Sequence, residues 1–589
     1  MKKGVEKIVA SKYWWLMLLV VLFGINFLAS VFHARFDLTK EKRYTLSKTT
    51  KDLLKNLDDD VQIDIFLKGD FPSKFRKLTN SVSEFLQLLK ESNSSKLRYT
   101  FILPSDEIPG TNRIKYADTL ESMGAFPINL KAQVKTGESS SMAYPFAIIK
   151  YKEKQELVTL FTVPPLSASN NELPEKVINS AESLFEYQFA KSLDKLMQTK
   201  KPAIAYSIGN GEPVDGRTYD LVQTLQQDYE FKTLNIKEQP RVPDNVNVLL
   251  IVKPKEQFNE DEKLKIDQFV MNGGKLLCFI DNLIAEQDSL SFKPETIAYD
   301  RNLNLTDLFF RYGLRINTDL VMDLQCDLIP IVVGGTRDNP QMEFLHWNYY
   351  PILSPIDNKI NKGLGYVASR FVNSIDTVQV NGIRKQPLLV SSANSRTIST
   401  PALISLNENK NAPEDDKFKR NAIPVAMLLE GKFTSLFRNR VSQVQRDSLK
   451  VHGTDFKETS PENKIIVVAD GDIVLNDFIP GNGANSQPVP IQMGWNKYTY
   501  TEYIKQTEFA KLFIPVANTE FLNNCMENLV NNPAISETRN KDIVLRLLDS
   551  QKVKAQKTMW QFITIAVPIL LVVLSGLIYQ QLRKRKYAV

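Results

Sequence analysis

Asp470 and Asp472 stand on either side of Gly471, directly after the run KIIVVA (464–469). Two carboxylates at the end of a buried strand could hold a cation, although an Asp-Gly-Asp turn also forms without one, because Asp side chains bond their own backbone. Gly209-Asn210-Gly211-Glu212 follows PAIAYSI (202–208), the place where open α/β sheets put ligands. This turn lacks the third glycine of a dinucleotide fingerprint, and tight-turn geometry accounts for it. Lys253-Pro254 follows VNVLLIV (246–252), where an amidotransferase-like hydrolase carries its nucleophile. Neither Cys nor Ser is there, and no G-x-S-x-G elbow occurs elsewhere. No GxxxxGK[ST] is present, and Gly273-Gly274-Lys275 ends a helix before a strand, the reverse of a phosphate loop. His33, His346 and His452 lie too far apart for metal-ligand spacing. Cys278, Cys326 and Cys525 read as buried thiols, with a Cys278–Cys326 bridge as the alternative. The sequence therefore assigns no catalytic residue, no cofactor site and no metal ligand.

Those strand-end residues need a sheet to position them. PAIAYSI, a helix over 218–229, a strand over 231–236, VNVLLIV, a helix opened by Asn259 and Glu262, and a strand over 276–280 alternate in order. Asn259 with Glu262 three residues on is a capping box, and Gly273-Gly274 closes that helix. Strands alternating with helices at this spacing predict a doubly wound, Rossmann-like parallel sheet. Upstream, VQIDIFL (61–67) alternates as a strand, 74–91 reads as an amphipathic helix, and 97–103 is the next strand. Further β-type runs lie at 128–134, 145–151 and 157–163, which together suggest a small thioredoxin-like α/β domain. Phe71-Pro72-Ser73 stands where a redox dithiol would be sought. A long helix covers 173–197, another covers 302–312, and helical runs at 521–530 and 541–549 approach the carboxyl end. Ser47 is a plausible cap for TKDLLKNL. FLHWNYYPILSP (344–355) reads as an aromatic loop whose rings fill a domain junction or form a recognition surface, and 407–420 and 481–487 read as loops.

Two apolar runs bracket all of this. WQFITIAVPILLVVLSGLIY (560–579) has no charge, and Arg583, Lys584, Arg585 and Lys586 follow it. YWWLMLLVVLFGINFLASVF (13–32) is also uncharged, and Lys2, Lys3, Lys7 and Lys12 precede it. About 20 apolar residues are what a helix needs to span a bilayer. A cleaved signal peptide is the alternative for the first run, but its length and Phe32, where a small residue is wanted, favour an uncleaved anchor. The positive-inside rule then places both tails in the cytoplasm and the bulk of the chain in the periplasm. Removing the tails' eight Lys/Arg and one acid, Glu6, from 74 basic and 67 acidic residues leaves 66 of each. The segment between the anchors is thus formally neutral, with no basic field for nucleic acid. Thr564, Pro568, Ser575 and Gly576 in the second run are not needed in a helix that meets lipid alone, and small residues permit close helix packing. These four are the candidate partner-binding residues, with the Ser575–Gly576 face docking on a membrane protein.

The expected organisation is a basic tail (1–12), a membrane helix (13–32), a juxtamembrane segment (33–60), the thioredoxin-like domain (61–170) and a connecting helix (171–200). The Rossmann-like domain follows (201–480, with insertions at about 330–460), then a helical linker region (481–558), a second membrane helix (559–580) and a basic tail (581–589). The fold class is a multi-domain α/β ectodomain anchored by one transmembrane helix at each end.

RFDLTKEKRYTLSKTTKDLL resembles the opening of the auxiliary components of uncharacterised ABC transport systems. NELPEKVINSAESLFEYQFAKSLDKL, FNEDEKLKIDQFVMNGGKLLCFID, LTDLFFRYGLRIN, EGKFTSLFRNR, KIIVVADGDI and the terminal WQ…P…RKRKY are similar to its gliding-motility-associated (GldG) branch. The resemblance implies a non-enzymatic, periplasm-facing subunit of an inner-membrane ABC transporter complex, tied to surface motility and its secretion machinery. It implies as partners a separate permease and, through it, a cytoplasmic ATPase. A solute-binding receptor and a hydrolase on an amidotransferase-like sheet remain the alternatives.

Overall fold

The structure, a computed structural model, describes residues 45–587 apart from 70, 72, 110–113, 135–136, 162–174, 286–289, 291–292, 337–338, 407, 409–414, 452, 454, 482–485, 506–515, 531–534, 536–537 and 541–549, together with residues 19, 20, 22–24, 26 and 37. It forms two compact units, Met1–Lys541 and Asp542–Val589. Most of the run 13–32, half of the loop 407–420 and the helix expected over 541–549 lie outside the described residues. Residues 19, 20, 22–24 and 26 are helical and exposed.

The amino-terminal part begins with α1 (Lys48–Lys55), whose cap Ser47 accepts from the Thr50 amide, as the sequence predicts. β1 (Val61–Ile65), α2 (Ser73–Ser92) and β2 (Leu97–Phe101) follow. After α3 (Tyr116–Ser122) come the hairpin β3 (Ile128–Val134) and β4 (Gly137–Ala143), then β5 (Phe146–Tyr151), β6 (Lys154–Thr159) and α4 (Glu175–Met197). The sheet order is β2-β1-β5-β6, with β1 parallel to β2 and antiparallel to β5. Helical spacing on α2 (Phe75, Leu78, Val82, Leu86, Leu89) and on α4 (Phe185, Phe189, Leu193, Leu196) joins both helices into one core over the sheet. β4 escaped the sequence reading because GESSSMA has no apolar alternation; only pairing with β3 makes it a strand. β6 starts at Lys154 rather than 157, since its first residues pair with β5 although they are exposed.

The larger sheet contains β7 (Ala203–Ile208), β8 (Glu230–Asn235), β9 (Val246–Val252), β10 (Lys275–Phe279), β11 (Cys326–Thr336), β12 (Asn339–Pro355), β13 (Ile383–Val390), β14 (Pro424–Thr434) and β15 (Thr459–Val468). Its order is β11-β12-β13-β14-β15-β10-β9-β7-β8, with a short strand, Val367–Ala368, beside β12. β15, β10, β9, β7 and β8 run parallel, with the first three parallel strands in the doubly wound order. The other half is antiparallel, which a purely parallel expectation missed. Along the parallel strands alternate residues enter two cores. Leu249, Ile251, Cys278 and Val467 face α6 (Glu260–Met271) and α7 (Thr306–Tyr312). Leu250, Val252, Phe279 and Val468 face α5 (Tyr219–Asp228) and, farther along the chain, α10 (Asn518–Val530). Two buried faces are why these strands read as unbroken apolar runs. Helix α8 (Gln443–Val451) lies between β14 and β15 in the chain, and α9 (Lys497–Ile504) follows β15.

Several local expectations change. The aromatic loop 344–355 is the second half of β12, paired on both sides. Trp347, Tyr349 and Tyr350 are buried, with Phe371 edge-on to Trp347 and Tyr350. Trp347, Tyr349 and Tyr350 join one core, and the pairing with β11 is irregular between Leu328/His346 and Cys326/Pro351, so this stretch carries no period of two that the sequence could show as a strand. The helix expected over 302–312 is shortened to α7 because Asn302 and Asn304 take left-handed backbone angles. All three cysteines are free and buried, so the Cys278–Cys326 bridge does not form.

In the second unit, α11 (Ser550–Tyr587) is one helix with Pro568 inside it. Its stretch Gln556–Arg585 is long and apolar enough to cross a membrane.

Candidate functional site

The carboxyl ends of β9, β10 and β15 lie side by side, because Val252, Phe279 and Val468 share one register row. The residues that follow them therefore meet. Lys253 leaves β9 with φ +46, its amide still bonded to the Phe279 carbonyl. This left-handed turn sends a nearly fully buried ammonium across the strand ends. Its Nζ lies 2.7 and 2.8 Å from the two Asp472 oxygens and 3.1 Å from Asp281 Oδ2. Asp281 Oδ1 accepts from the Gly471 amide. Asp470 accepts from the Asp472 amide at 2.7 Å and from the Arg370 amide at 2.7 Å. A Cβ on Gly471 would sit 2.6 Å from Lys253 Cβ, so the turn needs glycine for this close approach.

Electrostatics follow from burial. Asp470 is pushed well above the usual carboxylate range by desolvation, and Asp281 and Asp472 add to it. Beside it, Arg370 makes a two-pronged pair with Asp477 at 3.0 and 2.9 Å and lies over the Tyr350 ring. Burial alone would raise the Asp477 carboxyl, but Arg370 holds it below its ordinary value. Asp281, Asp470 and Asp472 each bring an oxygen within 4.8 Å of the others, a set that could ligate a cation. The Lys253 ammonium already occupies the space between two of them. What this arrangement does is tie three strand ends and the Arg370 segment together; the groups that touch each other here are one amine, a guanidinium and carboxylates.

The Gly209–Glu212 turn is also self-filled. The Asn210 amide, which a phosphate would meet, donates 2.7 Å to Glu212 Oε2. Asn210 Nδ2 bonds Glu262 Oε2 at 3.0 Å, which joins the turn to the capping box of α6. The sequence reading named Asp470, Asp472 and this turn. At Lys253 the sequence shows only that no nucleophile follows β9. The signal was a lone lysine ending an otherwise uncharged strand.

A second buried polar cluster is built on α4. Glu186 accepts from the Ser47 amide at 2.6 Å and from Thr50 Oγ1 at 2.7 Å, which fixes the start of α1. The next residue, Tyr187, bonds Glu527 of α10 through its hydroxyl. Arg539 Nη2 reaches Tyr187 OH (2.6 Å), Asn524 Oδ1 (2.7 Å) and Glu527 Oε2 (3.0 Å), and its Nη1 reaches the Ile360 carbonyl (2.7 Å). Lys191, one turn along α4, pairs with Glu527 as well. Burial pushes the Glu527 carboxyl up to about 7, with Arg539 pulling it back. Burial likewise lowers the Lys191 amine to about 8. No sequence spacing announced this cluster, since its members come from 186–191, 524–527 and 539.

On α11, Thr564 Oγ1 bonds the Trp560 and Gln561 carbonyls at 2.9 and 3.1 Å, and Ser575 Oγ bonds back to Leu571 and Val572. At 3.6 residues per turn, Thr564, Pro568 and Ser575 share one stripe, and Gly576 lies about 100° away. A Cβ on Gly576 would meet nothing within 4 Å. The structure therefore brings three of the four candidate residues onto one face and leaves Gly576 off it.

A family model described as "ABC-type uncharacterized transport system" matches residues 201–510, just over half of the chain. A domain of unknown function matches residues 40–150. An uncharacterized protein of Borreliella burgdorferi is 23% identical over 438 residues, covering 72% of this chain and 78% of its own. Among solved structures, the mmIFT52 N-terminal domain is 12% identical, covers 56% of this chain and 98% of its own, and has a TM-score of 0.29. An exo-beta-1,4-mannosidase from an Opitutaceae bacterium is 12% identical, covers 51% and 35%, and has a TM-score of 0.17. At such scores neither likeness carries an argument.

Proposed function

The chain belongs to the ABC-type uncharacterized transport system family, and from that premise we propose that it is a non-enzymatic coupling subunit of an ABC transporter complex. A membrane-associated auxiliary subunit fits both the family and the apolar helix α11. The observation that carries the coupling role is α4. Consecutive residues of this helix, Glu186 and Tyr187, hold the segment that follows the first apolar run and the segment that precedes the second. A helix that grips both of these segments can pass a movement of one to the other. The strand-end cluster supports the non-enzymatic reading, because Lys253 plugs the place where a hydrolase on such a sheet would act.

In this reading both termini are cytoplasmic, the body is periplasmic, and the Thr564, Pro568 and Ser575 stripe of α11, with Gly576 beside it, docks on a polytopic permease that carries a cytoplasmic ATPase. The amino-terminal domain is thioredoxin-like, supported by its β2-β1-β5-β6 order and by α2 and α4 against the sheet. The GldG-type resemblance supports a role for this complex in gliding motility and its secretion machinery. Extraction in mild detergent should bring down a permease and an ATPase with the full chain. Recovery as a lone monomer from several such detergents would overturn the reading.

A further inference from the structure

With the usual ligand end of the sheet plugged, the opposite end is open. At the amino ends of β9 and β10 lies a cavity of about 470 Å³, within the range of about 300–1,000 Å³ that holds small molecules. Its lining is apolar at Phe269, Leu449 and Leu529, which come from three separate helices. The lining also carries Arg241, Asn247 and Lys275. Lys275 is half-buried, and its ammonium bonds the Asn463 side chain at 2.5 Å. Among the described residues it has no carboxylate partner; burial and the like charge of Lys464 hold its amine below the ordinary value. Arg241 is offset by Asp244, and Lys265, also on the lining, is offset by Asp261 and the Ile236 carbonyl. The cavity's uncompensated charge is therefore that of Lys275. The end of α6 points its carbonyls here, which would repel an anion. They are already satisfied: Gln268 O by Asn272, Phe269 O by Gly274, and Val270 O by Gly273 and Asn463. Asn247 Oδ1 accepts from Ala203, which leaves the amide nitrogen as a donor.

We propose that this cavity binds a small organic anion, its charged group on Lys275 and its apolar body against Phe269, Leu449 and Leu529. A half-buried cation with no carboxylate partner among the described residues gains from an opposite charge, and an anion with an apolar tail meets both the charged and the apolar part of the lining. The inference does not depend on the transporter role, because binding is read directly.

The test is equilibrium dialysis of the full chain in lipid nanodiscs, with hexanoate, hexyl phosphate, inorganic phosphate and hexanol as separate probes. Saturable binding of hexanoate or hexyl phosphate is expected, and which binds tighter identifies the head group. Lys275→Met should weaken that binding by at least about tenfold, the worth of a hydrogen bond to a charged group, and Lys275→Arg should keep it. Asn247→Asp retains the acceptor for Ala203 but adds a negative charge, and should also weaken binding. No saturable binding of either hexyl anion, hexanol binding as tightly, or inorganic phosphate binding as tightly would each overturn the proposal. So would unchanged affinity in both Lys275→Met and Asn247→Asp.

Discussion

Replacing Arg539 by Met should be among the most damaging single changes in the α4 cluster, and the loss should be repaired by a second change. Arg539 is buried and gives hydrogen bonds to Glu527, Tyr187, Asn524 and the Ile360 carbonyl, with its guanidinium 4.0 Å from the Tyr187 ring centre. Removing it leaves Glu527 buried, with Lys191 as its remaining cation. Breaking a buried pair from one side costs about 3–5 kcal/mol, whereas replacing both charges by apolar groups is often near neutral. Arg539→Met and Glu527→Leu should therefore each cost about 3–5 kcal/mol, and the double variant should return to within about 2 kcal/mol of the parent. The assay is urea unfolding of the full chain at pH 8, where Glu527 is ionised, followed by tryptophan fluorescence. Two independent sites add to within about 0.5 kcal/mol. Additive losses in the double variant would refute the claim that these groups act as one unit, and with it the structural basis for coupling through α4.

The same carboxyl gives a pH signature. Its folded pKa, about 7, lies above the ordinary 4.5. Its contribution to stability is thus fully present below about pH 4.5 and is lost as pH rises through 7, by up to about 3 kcal/mol. Glu527→Gln should flatten the stability profile in that window; an unchanged slope would show that another group is responsible. Lys253→Met strands Asp281 and Asp472 and should lower stability by about 3–5 kcal/mol, and adding Asp472→Asn should recover part of the loss in the same unfolding assay. Gly471→Ala forces a Cβ to within 2.6 Å of Lys253 Cβ and should cost at least about 1 kcal/mol by thermal unfolding. Leu at both Ser575 and Gly576 should leave membrane insertion intact but reduce co-purification of the permease, with most of the loss in Ser575→Leu alone, since Gly576 stands off the stripe.

Local chemistry was legible where a residue's state depends on near neighbours. Ser47 and Asn259 cap their helices as their side chains dictate, and 560–579 reads as a long apolar helix by composition alone. The buried strands showed as apolar runs because both faces of the sheet are covered. The aromatic stretch 344–355 defeated the same reasoning, because its strand identity comes from pairing with distant chain rather than from a period.

The candidate site divides along the same line. The sequence by itself determined that strand ends would carry Lys253, Asp281, Asp470 and Asp472, and that no nucleophile follows VNVLLIV. Only the tertiary structure decided that Lys253 meets Asp472, 219 residues away, rather than facing solvent. It also decided that Glu186 and Tyr187 grip two segments far apart in the chain, and that Lys275 lines a cavity with no carboxylate partner among the described residues. The physical reason is that charge pairing in a buried place is set by strand register and burial, neither of which a one-dimensional spacing contains.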